Sequence, residues 1–258
     1  MNNSLSSSGV YHPQKSHIEQ RGRKKVGLIV PSPNTIMEPD LSRHLPSEVS
    51  VHTSRMLVEG AGLSKESESL MLDKYLPRAT KEIASLRPDV VVFGCTSAGA
   101  LRGKAYEENL CDELSQTTKA PTISVMAAVV EDFERLSAHT IAVLTPYPDE
   151  VNENIRRSIE EAGFQVACLT TMGATNGFAI AEITPDEIVE HAREHLQAVE
   201  ADCLFVACAN LRAVEAIDDL REVVKMPVVT SIQAVIDNVR RLLDLPVPSL
   251  KATAKIRN

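Results

Sequence analysis

Short runs of β-branched and aliphatic residues alternate with longer amphipathic segments between Lys25 and Leu245. Two of the short runs, Val90–Phe93 and Ile141–Leu144, are apolar at every position. Continuously apolar runs of this length are typical of strands in a parallel sheet that helices cover on both faces. The pattern predicts strands at 26–30, 50–56, 90–94, 121–125, 140–145, 165–170, 203–207 and 227–230.

The helical segments between these strands have recognisable ends. Thr184 is followed by a proline and then, at the third helical position, by Glu187, which is the pattern of a capping box. Gly163 is placed to end an earlier helix, because glycine readily adopts the left-handed conformation found there. The helical pattern over 64–86 contains Pro77, which we expect to kink or split the helix.

Three motifs occur twice in the same order, with offsets of 106 to 115 residues. In one pair an apolar run links an aspartate to a cysteine six positions later, as Asp89 with Cys95 and Asp202 with Cys208. A repeat of this length indicates a duplicated lobe rather than a solenoid. The predicted fold is α/β, with two doubly wound parallel-sheet lobes related by a pseudo-twofold axis and the active site in the cleft between them. The other pairs are Val30–Asn34 with Thr145–Asp149 and the segments that begin at Pro121 and Pro227.

The same pattern predicts four parts along the chain. We expect a disordered polar tail at 1–24, an N-terminal lobe at 25–137, a C-terminal lobe at 138–247 and a flexible end at 248–258. The last helix of the second lobe is a candidate for packing back on the first.

Composition argues against several classes of partner. The formal charge is -8, and the basic cluster at 21–25 is best interpreted as a solvated linker, so nucleic acid is not an expected partner. No segment resembles a signal peptide or approaches the ~20 apolar residues of a membrane helix, which predicts a cytoplasmic protein without a membrane partner. The five cysteines lack zinc or disulfide spacing, and no phosphate loop or dinucleotide motif occurs, so we expect no metal and no cofactor. Three of the cysteines are expected to be structural, namely Cys111, Cys168 and Cys203.

The candidate site residues follow the predicted strands. Ligands of such sheets bind at the carboxyl ends of the strands, and the residues found there are Asn34, Cys95, Thr96, Ser97, Tyr147, Asn176, Cys208, Ala209 and Asn210.

The two repeated cysteines are the candidate catalytic groups. A thiol has an ordinary pKa of ~8.5, and we expect a strand-to-helix turn to lower the pKa of both Cys95 and Cys208 through the helix dipole. Backbone amides of these turns, together with the side chains of Asn34, Thr96, Ser97 and Asn210, would hold substrate carboxylates without a lysine. A packing role for a single cysteine is the commoner case, but two at equivalent positions of a repeat favour catalysis. By themselves Asn34, Tyr147 and Asn176 are equally typical of turns or helix caps, and Arg212 is typical of a surface residue.

With its segments Val26–Asp40, Gly94–Gly99 and Ala207–Arg212, the chain resembles the aspartate/glutamate racemase superfamily, and within it the maleate cis-trans isomerases. The resemblance runs from about Lys25 to Leu245. It implies that Cys95 is the nucleophile and Cys208 the proton donor. It also implies that Asn34, Tyr147 and Asn176 bind substrate carboxylates. Ala209 departs from the related isomerases, which often have a hydroxyl-bearing residue there, whereas the related arylmalonate decarboxylases lack the first cysteine.

The predicted function is therefore cofactor-independent cis-trans isomerisation of a small unsaturated dicarboxylate, of the maleate-to-fumarate type, through a covalent cysteine adduct. One alternative is a two-base racemase or epimerase that acts on an amino acid, a hydantoin or a related acid with the same two cysteines. An alternative from another class is a catalytically silent protein that binds a small acid. We expect a homo-oligomer in each case.

Overall fold

The computed structural model describes residues 23–60 and 63–247. Every predicted strand is present, with ends that differ from the prediction by two residues at most. The strands are β1 (Lys24–Pro31), β2 (Val49–Met56), β3 (Val90–Phe93), β4 (Thr122–Ser124), β5 (Thr140–Thr145), β6 (Gln165–Thr171), β7 (Cys203–Val206) and β8 (Val228–Thr230).

Two four-stranded parallel sheets form the centre of the molecule. Their strand orders are β2-β1-β3-β4 and β6-β5-β7-β8, so the second sheet repeats the topology of the first. The central strands β3 and β7 are buried at every position, as their continuous apolar runs predicted. The predicted α/β fold of two equivalent lobes is confirmed.

Helices cover the sheets, and the predicted helix ends are also confirmed. Thr184 and Glu187 form both bonds of a capping box, and Gly163 follows a helix with a φ of +95°. The 64–86 region is split as expected, because a π-helical segment, Met71–Tyr75, precedes the helix that has Pro77 in its first turn. The helices are α1 (Met37–His44), α2 (Lys65–Leu70), α3 (Leu76–Ser85), α4 (Thr96–Leu101), α5 (Lys104–Thr118), α6 (Val125–Leu136), α7 (Asp149–Glu161), α8 (Gly177–Glu182), α9 (Pro185–Leu196), α10 (Ala213–Val224) and α11 (Ser231–Leu242).

The repeated aspartates start the equivalent strands of the two sheets. The Asp89 carboxylate accepts a hydrogen bond from the Lys25 amide at the start of β1, at 2.8 Å. The Asp202 carboxylate accepts from the amides of His139 and Thr140 at the start of β5, both at 2.8 Å. The duplication therefore preserves a structural hydrogen bond as well as a cysteine at the opposite end of the strand.

The final helix of each lobe packs against its counterpart. Ser124 caps α6 and Thr230 caps α11, and the two helices lie against each other. Arg241 of α11 is 3.4 Å from the Asp132 carboxylate of α6, and α11 also contacts α1, β3 and β4. One cluster of buried apolar residues includes β1 and β5, so the lobes share a hydrophobic core.

The tail at 1–22, which includes two residues of the basic cluster, and the end at 248–258 lie outside the described residues. Lys24 and Lys25 of that cluster belong to β1, so the expected tail and linker do not extend to them. The lobe boundaries stay predictions. Within 23–60 and 63–247, none of the helices is both long and apolar enough to span a membrane. The described residues also contain no cluster of three or more His, Cys, Asp and Glu side chains placed to hold a metal ion.

We expect a buried carboxyl in the first lobe to make the stability of the protein depend on pH. Glu107 of α5 is 6% exposed, and its Oε1 atom has no hydrogen-bond partner. Burial raises the pKa of Glu107 to about 7. This carboxyl approaches α4 so closely that a Cβ on Gly99 would lie 2.5 Å from Oε1.

We expect Glu107→Gln to reduce the loss of stability that occurs when the pH rises from about 5 to 8. The folded state holds the Glu107 proton more tightly than the unfolded state, so its contribution is present at low pH and is lost as the pH rises towards 7. The shift corresponds to up to about 3 kcal/mol. Denaturant unfolding at both pH values measures it, with Glu113→Gln on the exposed face of α5 as the control. An unchanged pH slope in Glu107→Gln would contradict the assignment.

Candidate active site

A cavity of about 510 Å³ lies between the lobes, at the carboxyl ends of the strands. All nine candidate residues from the sequence line it, so the structure brings them together in one place. They are Asn34, Cys95, Thr96, Ser97, Tyr147, Asn176, Cys208, Ala209 and Asn210.

Cys95 lies where β3 passes into α4, and it is the N-cap residue of that helix. The preceding Gly94 is required sterically, because a Cβ there would lie 2.7 Å from Met37 Sδ and 2.8 Å from Val30 Cγ1. Cys95 Sγ lies 3.8 Å from Ser97 Oγ. The thiol is thus held in the cleft by a turn whose geometry depends on tight packing beneath it.

Cys208 occupies a different kind of turn. Its φ is +121°, a region that residues other than glycine rarely adopt and that costs on the order of 1–3 kcal/mol. The Cys208 amide donates to Ser231 Oγ at 3.0 Å, and its Sγ accepts from the Asn210 amide at 3.3 Å. These bonds hold the strained backbone and aim the second thiol into the cavity from the second lobe.

The expectation that the turns lower the pKa values of the two thiols is wrong. Burial, with a contribution from Glu68, raises the pKa of Cys95 to about 12, although Ala98 and Ser97 act in the opposite direction. Burial raises the pKa of Cys208 to about 11, against the lowering effects of Tyr147 and Asn210. Cys208 also lacks the expected helix terminus, because α10 begins only at Ala213. Desolvation of the thiolate therefore outweighs the nearby dipoles.

A buried serine connects the two cysteine turns. Thr96 Oγ1 donates to Ser231 Oγ at 3.1 Å, and the same oxygen accepts the Cys208 amide. Thr96 consequently positions the second cysteine turn across the lobe interface. Sequence reasoning did not single out Ser231, although it lies in the repeated segment that begins at Pro227.

The side chains of Asn34 and Asn210 also bridge the lobes. Asn34 Nδ2 donates to the Ala209 carbonyl at 2.8 Å, and its Oδ1 accepts from Ile36 and Met37 at the start of α1. Asn210 Oδ1 accepts from the Thr35 amide at 2.9 Å, and its Nδ2 donates to the Gly177 carbonyl at 2.8 Å. Both amides are engaged with the protein, so their predicted contacts with a substrate carboxylate stay predictions.

The remaining candidates differ in how they are held. Tyr147 is buried, and its hydroxyl lowers the pKa of Cys208, whereas burial raises the pKa of Tyr147 itself. Asn176 caps α8 by accepting from the amides of Phe178 and Ala179, both at 3.0 Å. Arg212 forms an ion pair with Glu215 at 2.9 Å outside the set of cavity-lining residues.

Glu68 of α2 is a cavity residue that the sequence analysis missed. It is 6% exposed, and its Oε2 atom has no hydrogen-bond partner. Burial raises the pKa of Glu68 to about 7, with Ser97 lowering it and Glu150 raising it. No spacing marks this glutamate within the polar segment that forms α2, so only the fold reveals that it faces the two cysteines.

Comparisons with known proteins agree with the fold and with the family resemblance. The sequence model of the family described as arylmalonate decarboxylase matches residues 26–255. A maleate isomerase of Nocardia farcinica is 27% identical over 236 residues, which cover 88% of this chain and 92% of the relative. The maleate isomerase of Pseudomonas putida S16, solved with maleate, has a TM-score of 0.80 at 25% identity and covers 86% of this chain and 93% of its own. A Nocardia farcinica maleate cis-trans isomerase variant with a covalently bound succinylcysteine intermediate has the same TM-score, 0.80, at 24% identity, with 87% and 94% covered.

We expect Asn34→Ala to destabilise the fold by about 1–3 kcal/mol, because it removes a bond between the lobes and leaves two amides of α1 without their acceptor. Thermal unfolding measures the loss as a decrease of roughly 2–4 °C in melting temperature per kcal/mol. Asn109→Ala, at an exposed position of α5, is the control and should unfold like the parent. A melting temperature equal to that of the parent would show that Asn34 has no structural role.

Proposed function

The chain belongs to the arylmalonate decarboxylase family, and we propose that it is an isomerase that converts a cis-enedioate such as maleate to its trans isomer. The observation that carries the proposal is the pair of buried thiols, Cys95 from one lobe and Cys208 from the other, in one cavity of small-molecule size. The isomerase names of the relatives support the reaction type, and Cys95 argues against decarboxylation because the decarboxylases lack the first cysteine.

The reaction needs a nucleophile because a double bond does not rotate. Cys95 Sγ forms a bond to one alkene carbon, and Cys208 gives its proton to the other carbon. The proton of Cys95 passes to the Cys208 sulfur, so that one S–H group has been added across the double bond. The product of this step is a succinyl thioether, the kind of adduct named for the Nocardia farcinica variant.

Rotation and elimination complete the cycle. The new carbon–carbon single bond rotates. As the carbon–sulfur bond breaks, the Cys208 thiol returns its proton to the departing Cys95 sulfur, and the Cys208 sulfur takes a proton from the carbon next to the thioether carbon, which restores both thiols. Negative charge builds up on a substrate carboxylate during both proton transfers, and we assign its stabilisation to the first amides of α4 and the Tyr147 and Ser97 hydroxyls.

The mechanism requires nothing beyond these side chains, so we propose that the enzyme acts without a cofactor. Its partner is a small dicarboxylate substrate. The cytoplasmic location and the homo-oligomeric state stay predictions.

We expect Cys95→Ser to abolish turnover of maleate while the protein stays folded, because a serine hydroxyl is far less acidic and less nucleophilic than a thiol. We expect Cys208→Ser, incubated with maleate, to gain the mass of one maleic acid molecule. Steady-state kinetics and intact mass spectrometry are the measurements. Cys168→Ser in β6, away from the cavity, is the control and should keep the activity of the parent. Cys95→Ser activity within about tenfold of the parent, or ~1.4 kcal/mol of barrier, would contradict the role of Cys95.

Isomerisation and racemisation can be separated by proton NMR in deuterated buffer. We expect the olefinic signal of maleate to be replaced by that of fumarate. A two-base racemase, which could use the same thiols, would instead introduce solvent deuterium at the α-carbon of a chiral acid. Deuterium at such a stereocentre, with no change in maleate, would favour the racemase.

A further inference from the structure

The cavity contains one carboxyl group for which the proposed reaction has no use. Glu68 lines the cavity with both cysteines, is buried, and leaves Oε2 without a hydrogen-bond partner. A buried polar atom without a partner is destabilising, and such atoms are uncommon in folded proteins. This unpaired oxygen is therefore a candidate contact for a bound ligand.

The ionisable groups around Glu68 are all acidic. Glu150, at the start of α7, raises the pKa of Glu68. Glu68 in turn raises the pKa values of Cys95, Cys208 and Tyr147. Within the described residues, no Lys, Arg or His side chain lines the cavity. A dicarboxylate that enters this space would meet an ionised Glu68 with no cation to compensate.

The pKa of Glu68 determines whether this repulsion between Glu68 and the substrate persists. Burial already raises the pKa of Glu68 to about 7. A nearby negative charge raises the pKa of a carboxyl further, so a bound dianion favours the neutral acid. The neutral acid has an O–H group that can donate a hydrogen bond.

Apart from the Tyr147 and Ser97 hydroxyls assigned above to the substrate, several polar side chains of the cavity already donate within the protein. The amides of Asn34 and Asn210 bond to backbone groups, and the Thr96 hydroxyl donates to Ser231. A protonated Glu68 would add a donor where these side chains are already engaged.

On the basis of the proposed function, we propose that Glu68 takes up a proton when the dicarboxylate binds and that its neutral carboxyl group donates a hydrogen bond to a substrate carboxylate. Glu68 is then a specificity-determining residue, which admits a dianion only together with a proton.

The same proton assists the chemistry. Ionised Glu68 raises the pKa of both Cys95 and Cys208. Neutralising Glu68 removes that repulsion while substrate is present, so the thiolate of Cys95 forms more easily than it would beside an ionised Glu68. Binding and activation of the nucleophile are thereby coupled through one carboxyl group.

Calorimetric titration at pH 8, in buffers of different ionisation enthalpy, tests the proposal. The proteins carry Cys95→Ser so that no adduct forms, and the ligands are maleate and the saturated diacid succinate, both fully ionised at this pH. We expect close to one proton to be taken up per bound diacid. We expect close to none when Glu68→Gln is added, because glutamine is a neutral donor at every pH. Glu66→Gln, exposed on the same helix, is the control and should keep the uptake.

Kinetics provide a second readout on the enzyme with Cys95 intact. We expect kcat/KM for maleate to fall about tenfold per pH unit above the pKa of Glu68, and this fall to be absent in Glu68→Gln. A purely structural role for Glu68 would instead lower kcat/KM in Glu68→Gln by the same factor at pH 6 and at pH 8.

The outcomes separate this inference from the proposed function. If the parent turns over maleate but takes up no proton on binding, the inference alone is overturned. The same holds if the parent turns over maleate and Glu68→Gln leaves the proton uptake unchanged. Diacid binding with a Glu68-dependent uptake, but without turnover of maleate, overturns the isomerase alone. Failure of the protein to bind either diacid overturns both. If Glu68→Gln does not fold, the uptake measured in the Cys95→Ser protein and the pH profile of the parent still decide the question.

Discussion

The hydrogen bonds that cross between the lobes are the constraint on which the site depends. Asn34 bonds to Ala209, Asn210 bonds to Thr35, and Ser231 receives both Thr96 and the Cys208 amide. These bonds fix the two thiols relative to each other, although each thiol belongs to a different sheet. The bonds of Asn34 and Ser231 are also buried, so breaking one of them leaves polar groups unpaired in a region that water does not solvate.

Burial of the site also raises the pKa values of its two thiols. The burial that holds the two sulfurs in place also disfavours their thiolates, and the short helix behind Cys95 does not offset it. In such a cavity, a proton on any one group affects the charge of all the others. Glu68, Tyr147 and the two cysteines are therefore best understood as one titrating unit, whose charge changes when an anionic ligand arrives.

The sequence predicts most of the fold because burial on both faces leaves a simple mark on a strand. Runs such as Val90–Phe93 are apolar throughout. The duplication identifies the two candidate catalytic cysteines from the sequence alone. Glu68 could not be identified in this way, because a helix of mostly polar residues gives no sign of which of its sides faces the cavity between the lobes. The strained backbone of Cys208 could not be predicted from the sequence either, because the hydroxyl that accepts its amide belongs to Ser231, 23 residues further along the chain. The expectation that a helix dipole acidifies Cys208 was wrong because α10 begins only at Ala213 and burial disfavours the thiolate.

The packing of α6 against α11 has a thermodynamic consequence for the whole chain. Each of these helices completes one lobe and covers apolar surface of the other, and the buried cluster runs through both sheets without a break. Neither half can melt without exposing the interior of its neighbour to water. We therefore expect the two lobes to unfold together in spite of the duplicated architecture.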